Sequence, residues 1–314
     1  MVAILSNPYR IGGVGSRGGV RIQQGGGPTL PPPQPSTKAF ENLRGVGNIL
    51  AVLSGKGGVG KSFVTASLAM ALSKIGKRVG VLDMDFHGPS MPIMLGVKQD
   101  LLEVVAKTPG MPRIQPAEGY GGVKVVSIDL MLSDKTTPVI WRGAIKVRVL
   151  QQLLEDVEWG ELDYLLVDMP PGTGDDALNL VQTVPRIDGL IFVTLPSEVS
   201  SHVVAKSIRF VEIARASLDK EIPIIGVIEN MSYFICEHGK EYYIFGRGGG
   251  EKLSRALGTK LLGKIPLDPR IAESNDRGFS ILDQYPESPA SKEIMRIARE
   301  VEEVINNKRD KRQP

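Results

Sequence analysis

The sequence predicts an α/β fold, a doubly wound and mostly parallel sheet with helices on both faces. Three observations carry that expectation. Short apolar runs recur at residues 49–53, 78–83, 123–128, 162–168, 189–194 and 222–229, each with the continuous hydrophobicity of a strand buried on both faces. Helix-like segments at 63–72, 142–156 and 200–217 fall between them, and such alternation builds parallel crossovers. The first run leads directly into a glycine-rich loop, and two others end in aspartate. Carboxyl ends of strands are where doubly wound sheets place their chemistry.

The chain has 314 residues, enough for one large α/β domain with tails. Its net charge of +3 is too small to argue for nucleic acid. No apolar run approaches the roughly 20 residues that span a bilayer, and no signal peptide is evident at the N-terminus. Cys236 is the single cysteine, which excludes an intramolecular disulfide and fits a reducing, cytoplasmic setting. Residues 1–39 are rich in glycine, proline and arginine and are expected to be disordered, because such composition cannot offset ordering entropy by burial. The folded domain is expected over 40–307, with 308–314 as a basic, solvated tail.

Residues 49–53 are the first strand, and S-G-K-G-G-V-G-K-S follows at 54–62. Gly55, Gly60, Lys61 and Ser62 satisfy the phosphate-binding pattern G-x-x-x-x-G-K-[ST]. Wrapping a polyphosphate takes backbone N–H groups, and side chains at Gly55, Gly57, Gly58 and Gly60 would hold that backbone away; Val59 completes the cradle. Lys61 then supplies a point charge to the β- and γ-phosphates, and the Ser62 hydroxyl ligates Mg²⁺. The helix at 63–72 adds the positive end of its dipole. Lys56 is a second lysine in the loop. Lys61 already occupies the position over the loop's own phosphates, so Lys56 either could reach a nucleotide on a facing subunit or is a solvated loop lysine.

The second strand ends in D-M-D at 83–85, and F-H-G-P-S at 86–90 breaks it. Residues 98–122 read as loop-rich, with Pro109, Pro112 and Pro116. A strand at 123–128 and the helix at 142–156 follow. Residues 164–167 are four apolar residues leading into Asp168, the Walker B arrangement in which a carboxylate holds Mg²⁺ or its waters. Pro170 and Pro171 forbid helix and ladder alike, so the chain turns there, and Gly172 can bring its N–H to a γ-phosphate as a switch. After the strand at 222–229 come N-M-S-Y-F at 230–234, a glycine-rich turn at 246–250 and a last strand near 260–265. Ile294, Ile297, Val301, Val304 and Ile305 form the stripe of a terminal amphipathic helix, whose expected role is core packing rather than membrane docking. His87 and His202 show no ligand spacing and read as structural.

Together, K-G-G-V-G-K-S at 56–62, D-M-D-F-H-G-P-S at 83–90, W-R-G at 141–143, D-M-P-P-G-T-G-D at 168–175, N-M-S-Y-F at 230–234 and F-G-R-G-G-G at 245–250 closely resemble the Mrp/ApbC family. These are MinD/ParA-like (SIMIBI) P-loop ATPases with a deviant Walker A loop, implicated in carrying iron–sulfur clusters to apoproteins. The resemblance covers about residues 40 to 285. It implies a homodimer with two ATP molecules at its interface, slow Mg²⁺-dependent hydrolysis and apoprotein clients. It also implies that Lys61 and the loop bind phosphates and that Lys56 acts in trans. Ser62, Asp83 and Asp168 would serve Mg²⁺, and Asp85 would position or deprotonate the attacking water. Asn230, Pro266 and Asp268 match positions that contact adenine in related ATPases. The alternative within the wider group is a ParA/MinD-like switch acting in spatial organisation on DNA or membrane.

One departure from the family matters. Its usual C-x-x-C after N-M-S-Y-F reads Cys236-Glu237-His238-Gly239 here, so the second cysteine is absent. Two readings stay open. Cys236 and His238 from both subunits could form a shared Cys₂His₂ set for Zn²⁺ or a [2Fe–2S] cluster, with a shared [4Fe–4S] cluster as the family's own cargo. Alternatively, cluster binding has been lost and Cys236 is a small apolar residue beside an exposed His238.

Overall fold

The computed structural model describes residues 35–86, 88–108, 111–132, 143–197, 201–218 and 222–310. The N-terminal segment before residue 35, His87, and Trp141 and Arg142 of the W-R-G motif lie outside the described residues, as does the side chain of His202.

The described chain opens on helix α1 (Thr37–Asn42), whose first turn is capped by the Ser36 hydroxyl accepting from the Ala39 N–H. Ala39 is buried in the core, so order begins ahead of the expected boundary at residue 40. Then follow β1 (Val46–Ser54), α2 (Lys61–Lys74), β2 (Val79–Asp83) and α3 (Met91–Met94). Residues expected to be loop-rich instead pair as an antiparallel ribbon, β3 (Glu103–Thr108) with β4 (Met111–Gln115). Valines at 104 and 105 favour extended backbone, and Pro112 is tolerated because this ribbon stands outside the main sheet. Short β5 (Ala117–Glu118) and β6 (Lys124–Ser127) return the chain to the main sheet.

The second half runs α4 (Gly143–Asp156), β7 (Leu162–Asp168), α5 (Asp175–Thr183), β8 (Gly189–Thr194), α6 (Ser201–Leu218) and β9 (Ile224–Glu229). A small hairpin, β10 (Phe234–Ile235) with β11 (Glu241–Tyr242), precedes α7 (Gly249–Ala256) and β12 (Leu261–Lys264). Helices α8 (Pro269–Arg277), α9 (Ile281–Gln284) and α10 (Pro289–Asp310) end the chain. Helix α10 continues to Asp310, through the first residues of the expected basic tail, and 311–314 lie outside the described residues.

The main sheet has the order β12-β9-β8-β1-β7-β2-β6-β5, parallel throughout except for β5 against β6. This is the mostly parallel, doubly wound sheet the sequence predicts. Strand β1 lies at its centre between β7 and β8, so its loop emerges flanked by both neighbours' carboxyl ends. On one face α2 and α10 pack Leu68, Leu72, Ile294 and Val301 against Leu50, Val81 and Ile191. On the other, α4, α5 and α6 place Leu150, Leu153, Val181 and Phe210 against Ile49, Leu165 and Phe192. The predicted stripe of α10 is thus core: Ile294, Ile297, Val301 and Ile305 are buried.

Candidate functional site

The loop after β1 turns sharply into α2. Gly60 caps that helix at φ 77°, ψ 30°, a left-handed conformation that a β-carbon disfavours. Gly55 is glycine for a different reason: a β-carbon there would lie 2.3 Å from Val203 Cγ1 on α6. The Ser54 hydroxyl donates to the Lys56 carbonyl at 2.9 Å and pins the loop's entrance. Lys56, Gly57 and Gly58 are exposed, whereas Val59 and Lys61 are buried.

Lys61 forms an ion pair with Asp168 at 2.6 Å, with side chains 5% and 0% exposed. The same carboxylate accepts from the Ser62 and Thr65 hydroxyls, each at 2.7 Å. Asp168 therefore gathers three side chains of one helical turn. Thr65 was not foreseen, yet its position four residues after Lys61 puts it on the same helix face.

Parallel register sets Asp83 beside Asp168, and Ser127 beside Asp83. Asp83 is 2% exposed. It accepts from the Ser127 hydroxyl (3.0 Å) and from the N–H groups of Asp85, Ser90 and Met91 (3.1–3.3 Å). Burial, reinforced by the neighbouring Asp168 charge, pushes the Asp83 carboxyl up to about 7 despite the lowering effect of these donors. Ser127 is a second residue beyond the sequence reading, found only once β6 is placed against β2.

Asp85 follows on the connection out of β2, where its carboxylate accepts from the Gly88 N–H at 3.2 Å. With Ser90, Met94 and Pro171 it faces the loop residues Gly57 to Phe63 around a cleft of about 260 Å³. Gly172, at φ 88°, is the next residue after Pro171. The phosphate loop, Asp85 and Pro171 of the turn after Asp168 thus line one cleft. The donors fit Mg²⁺ and a polyphosphate. The Ser62 hydroxyl and the Asp168 carboxylate meet at 2.7 Å beside the Lys61 ammonium, while the oxygens of Asp83, next to Asp168 in register, already accept from four donors.

The expected adenine contacts are arranged differently. Asn230 is 1% exposed, and its amide donates to the Val59 carbonyl at 3.0 Å from beneath the loop. Pro266 and Asp268 line a separate cavity of about 370 Å³ together with Phe234, Cys236 and Arg270. The Asp268 carboxylate is already committed, capping α8 and taking the Arg270 guanidinium in a two-point pair at 2.7 and 2.8 Å. Both side chains thus hold partners within the chain, Asn230 at the loop and Asp268 at the start of α8.

Cys236 starts the turn of the β10–β11 hairpin, half-buried, with its N–H bonded to the Lys240 carbonyl at 3.1 Å. His238, beside it in the turn, is 84% exposed. Gly239, where the family's second cysteine would fall, closes the turn at φ 76°. Among the described residues no three His, Cys, Asp or Glu side chains converge as a metal site within the one chain.

A family model described as the NUBPL iron-transfer P-loop NTPase, of the ParA group, matches residues 45–302. The chain belongs to this family. The motif resemblance is therefore borne out, and the loop at 54–62 is the nucleotide loop of a P-loop NTPase. Among curated relatives, the iron-sulfur cluster carrier protein of Saccharolobus solfataricus is 52% identical over 259 residues, covering 82% of this chain and 84% of its own. The protein of the same name from Methanocaldococcus jannaschii is 46% identical, covering 88% and 91%. Among solved structures, a nucleotide-binding protein of Archaeoglobus fulgidus in complex with ADP is 35% identical with a TM-score of 0.67, covering 81% of this chain and 94% of that one. The septum site-determining protein MinD of Pyrococcus horikoshii, complexed with Mg-ADP, shares the fold at 24% identity and a TM-score of 0.57, covering 83% and 98%. No helix among the described residues is long and apolar enough to cross a membrane.

Proposed function

We propose that this chain hydrolyses ATP slowly as a nucleotide-bridged homodimer in the cytoplasm and carries iron–sulfur clusters to apoproteins. The observation that carries the reading is the pairing of two lysines in one phosphate loop of an iron-transfer NTPase, Lys61 buried against Asp168 and Lys56 exposed on the outer rim. Lys61 and the loop N–H groups hold the β- and γ-phosphates. Ser62, Asp83 and Asp168 would hold Mg²⁺, which would supply positive charge to the transferred phosphoryl group. Asp85 orients the attacking water and takes its proton as the bond between γ-phosphorus and the bridging oxygen breaks, and Gly172 senses the γ-phosphate. Lys56 crosses to the nucleotide of the second subunit, where its charge stabilises the same transition state.

The cargo site is shared. One thiol per chain cannot complete a four-ligand set, so Cys236 and His238 of both protomers form it, taking Zn²⁺ or a cluster. The relatives' name supports a cluster as cargo. Anaerobic reconstitution with iron and sulfide tests this, followed by metal analysis of the parent, Cys236→Ser and His238→Ala. One cluster or ion per dimer is expected, lost in Cys236→Ser and reduced in His238→Ala. Full metal in Cys236→Ser, or none in the parent, would overturn carriage by this residue.

A further inference from the structure

Lys146 is a buried ammonium outside the phosphate site. It lies on the first turn of α4 with its side chain 9% exposed, and it pairs with the Asp176 carboxylate at 2.6 Å. Taking a charge out of water is expensive, and a buried pair often gains nothing in stability over apolar side chains of similar bulk. The use of such a pair is therefore to be sought in the geometry it fixes.

Two segments that flank the phosphate cleft meet at this one group. Asp176 is the second residue of α5, directly behind the turn at 169–174 that carries Pro171 to the cleft. Phe86, 7% exposed, is the residue after Asp85, and the Lys146 Nζ lies 5.9 Å from its ring centroid, at the outer limit of a cation–ring attraction. Pro170, the first proline of the turn, joins Phe86, Lys146 and Asp176 around a small cavity of about 10 Å³. The two segments are also joined at their strand ends, where the Met84 N–H donates to the Asp168 carbonyl at 2.9 Å. Between that bond and Asp176 the turn is loosely specified. Gly172, at φ 88°, and Gly174 lack side chains, and the buried Thr173 hydroxyl has no hydrogen-bond partner among the described residues. The Lys146–Asp176 pair anchors the far end of this span.

We propose that Lys146 is a positioning residue for the response to the γ-phosphate: through Asp176 it ties the far end of the turn after Asp168 to the segment that carries Asp85. The inference rests on the reading of this cleft as a site of ATP hydrolysis. With the tie in place, only the short glycine-containing span has to order around a γ-phosphate. Without it, the nucleotide must also order the start of α5, and that entropy is subtracted from its affinity. ADP has no γ-phosphate and does not draw on the turn, so its binding is indifferent to the pair. A pair that only packed α4 on α5 would affect both nucleotides alike.

The test measures binding of Mg-ADP and of Mg-bound adenylyl imidodiphosphate, an ATP analogue with a stable γ-phosphate. It uses the full chain, Lys146→Met, and Lys146→Met combined with Asp176→Asn. The Asp176 side chain is 46% exposed, so water takes over its charge when the ammonium is removed, and Lys146→Met should melt close to the parent. In that variant the analogue should bind about tenfold more weakly while Mg-ADP stays within about twofold of the parent. Adding Asp176→Asn should cost nothing further, because both changes act through one contact. Equal weakening of both nucleotides, unchanged binding of the analogue, or a further loss in the double variant would overturn the proposal. A parent that binds neither nucleotide, or releases no phosphate from Mg-ATP, would instead defeat the hydrolysis reading itself. Should Lys146→Met fail to fold, the parent decides. Its Lys146 Cε resonance should differ between the ADP and analogue complexes, and identical signals would refute the tie.

Discussion

Asp168→Asn offers the most informative perturbation, because one atom change removes a charge and little else. Asp168 and Lys61 form a contact at 2.6 Å with almost no solvent on either side chain. Removing one partner of a buried pair costs about 3–5 kcal/mol, since the remaining charge is left desolvated. Asparagine keeps the shape and can still bond both the Ser62 and Thr65 hydroxyls if one rotates to accept. Asp83 also gains, as the Asp168 charge that helps push its carboxyl up to about 7 is removed. The net cost should therefore fall near the low end, about 3 kcal/mol. For a domain of this size that is a fall of roughly 6 to 12 °C in Tm. Thermal unfolding at pH 7.5 without nucleotide provides the readout. A variant melting within about 2 °C of the parent would show that the pair is not what keeps Lys61 in place.

Three further outcomes follow from the same geometry. Lys56→Ala should bind Mg-ATP as the parent does yet release phosphate at least tenfold more slowly, and normal turnover would remove the trans role. Asp85→Asn should likewise retain nucleotide while hydrolysing slowly, so that size-exclusion with ATP shows a persistent dimer; a monomer there would count against nucleotide bridging. For Asp83 the sign of the pH effect follows from burial and the Asp168 charge, which push its carboxyl up to about 7 from the ordinary 3.8. Its contribution to stability is complete below the lower value and lost as pH rises through the higher one. Asp83→Asn carries no charge at any pH, so its Tm relative to the parent should rise between pH 5 and pH 8. A constant difference across that interval would refute the raised carboxyl.

Much of this was legible in the sequence because the informative elements are local. The G-K-G-G-V-G-K-S loop, the apolar runs and their terminal aspartates declare themselves within a few residues, and the sheet follows from their alternation. What escaped depends on pairing between distant segments. Ser127 matters only because β6 lies beside β2, a neighbour relation that no spacing reveals. The ribbon at residues 103–115 was hidden by its prolines, which read as loop until one sees that this pair stands outside the main sheet. Asn230 was legible as a motif residue but not in its direction. Which way an amide points at a strand end is decided by packing against the loop, and by the unusual backbone at Met231.

The alignment of β2 with β7 has a mechanical consequence. Asp83 and Asp168 are the last residues of strands paired residue for residue from Val79 with Tyr164 onward. Side chains alternate along a strand, so an offset of a single residue would send one carboxylate to the opposite side of the layer. The two strands act together as a ruler, and the hydrophobic residues along them are its graduations. Exchanging one apolar residue for another of similar bulk leaves the reading unchanged. Inserting or deleting one residue inside either strand shifts the scale, and the two carboxylates lose their pairing even if the interior repacks. Length, more than identity, is what these interior residues contribute to the chemistry at their ends.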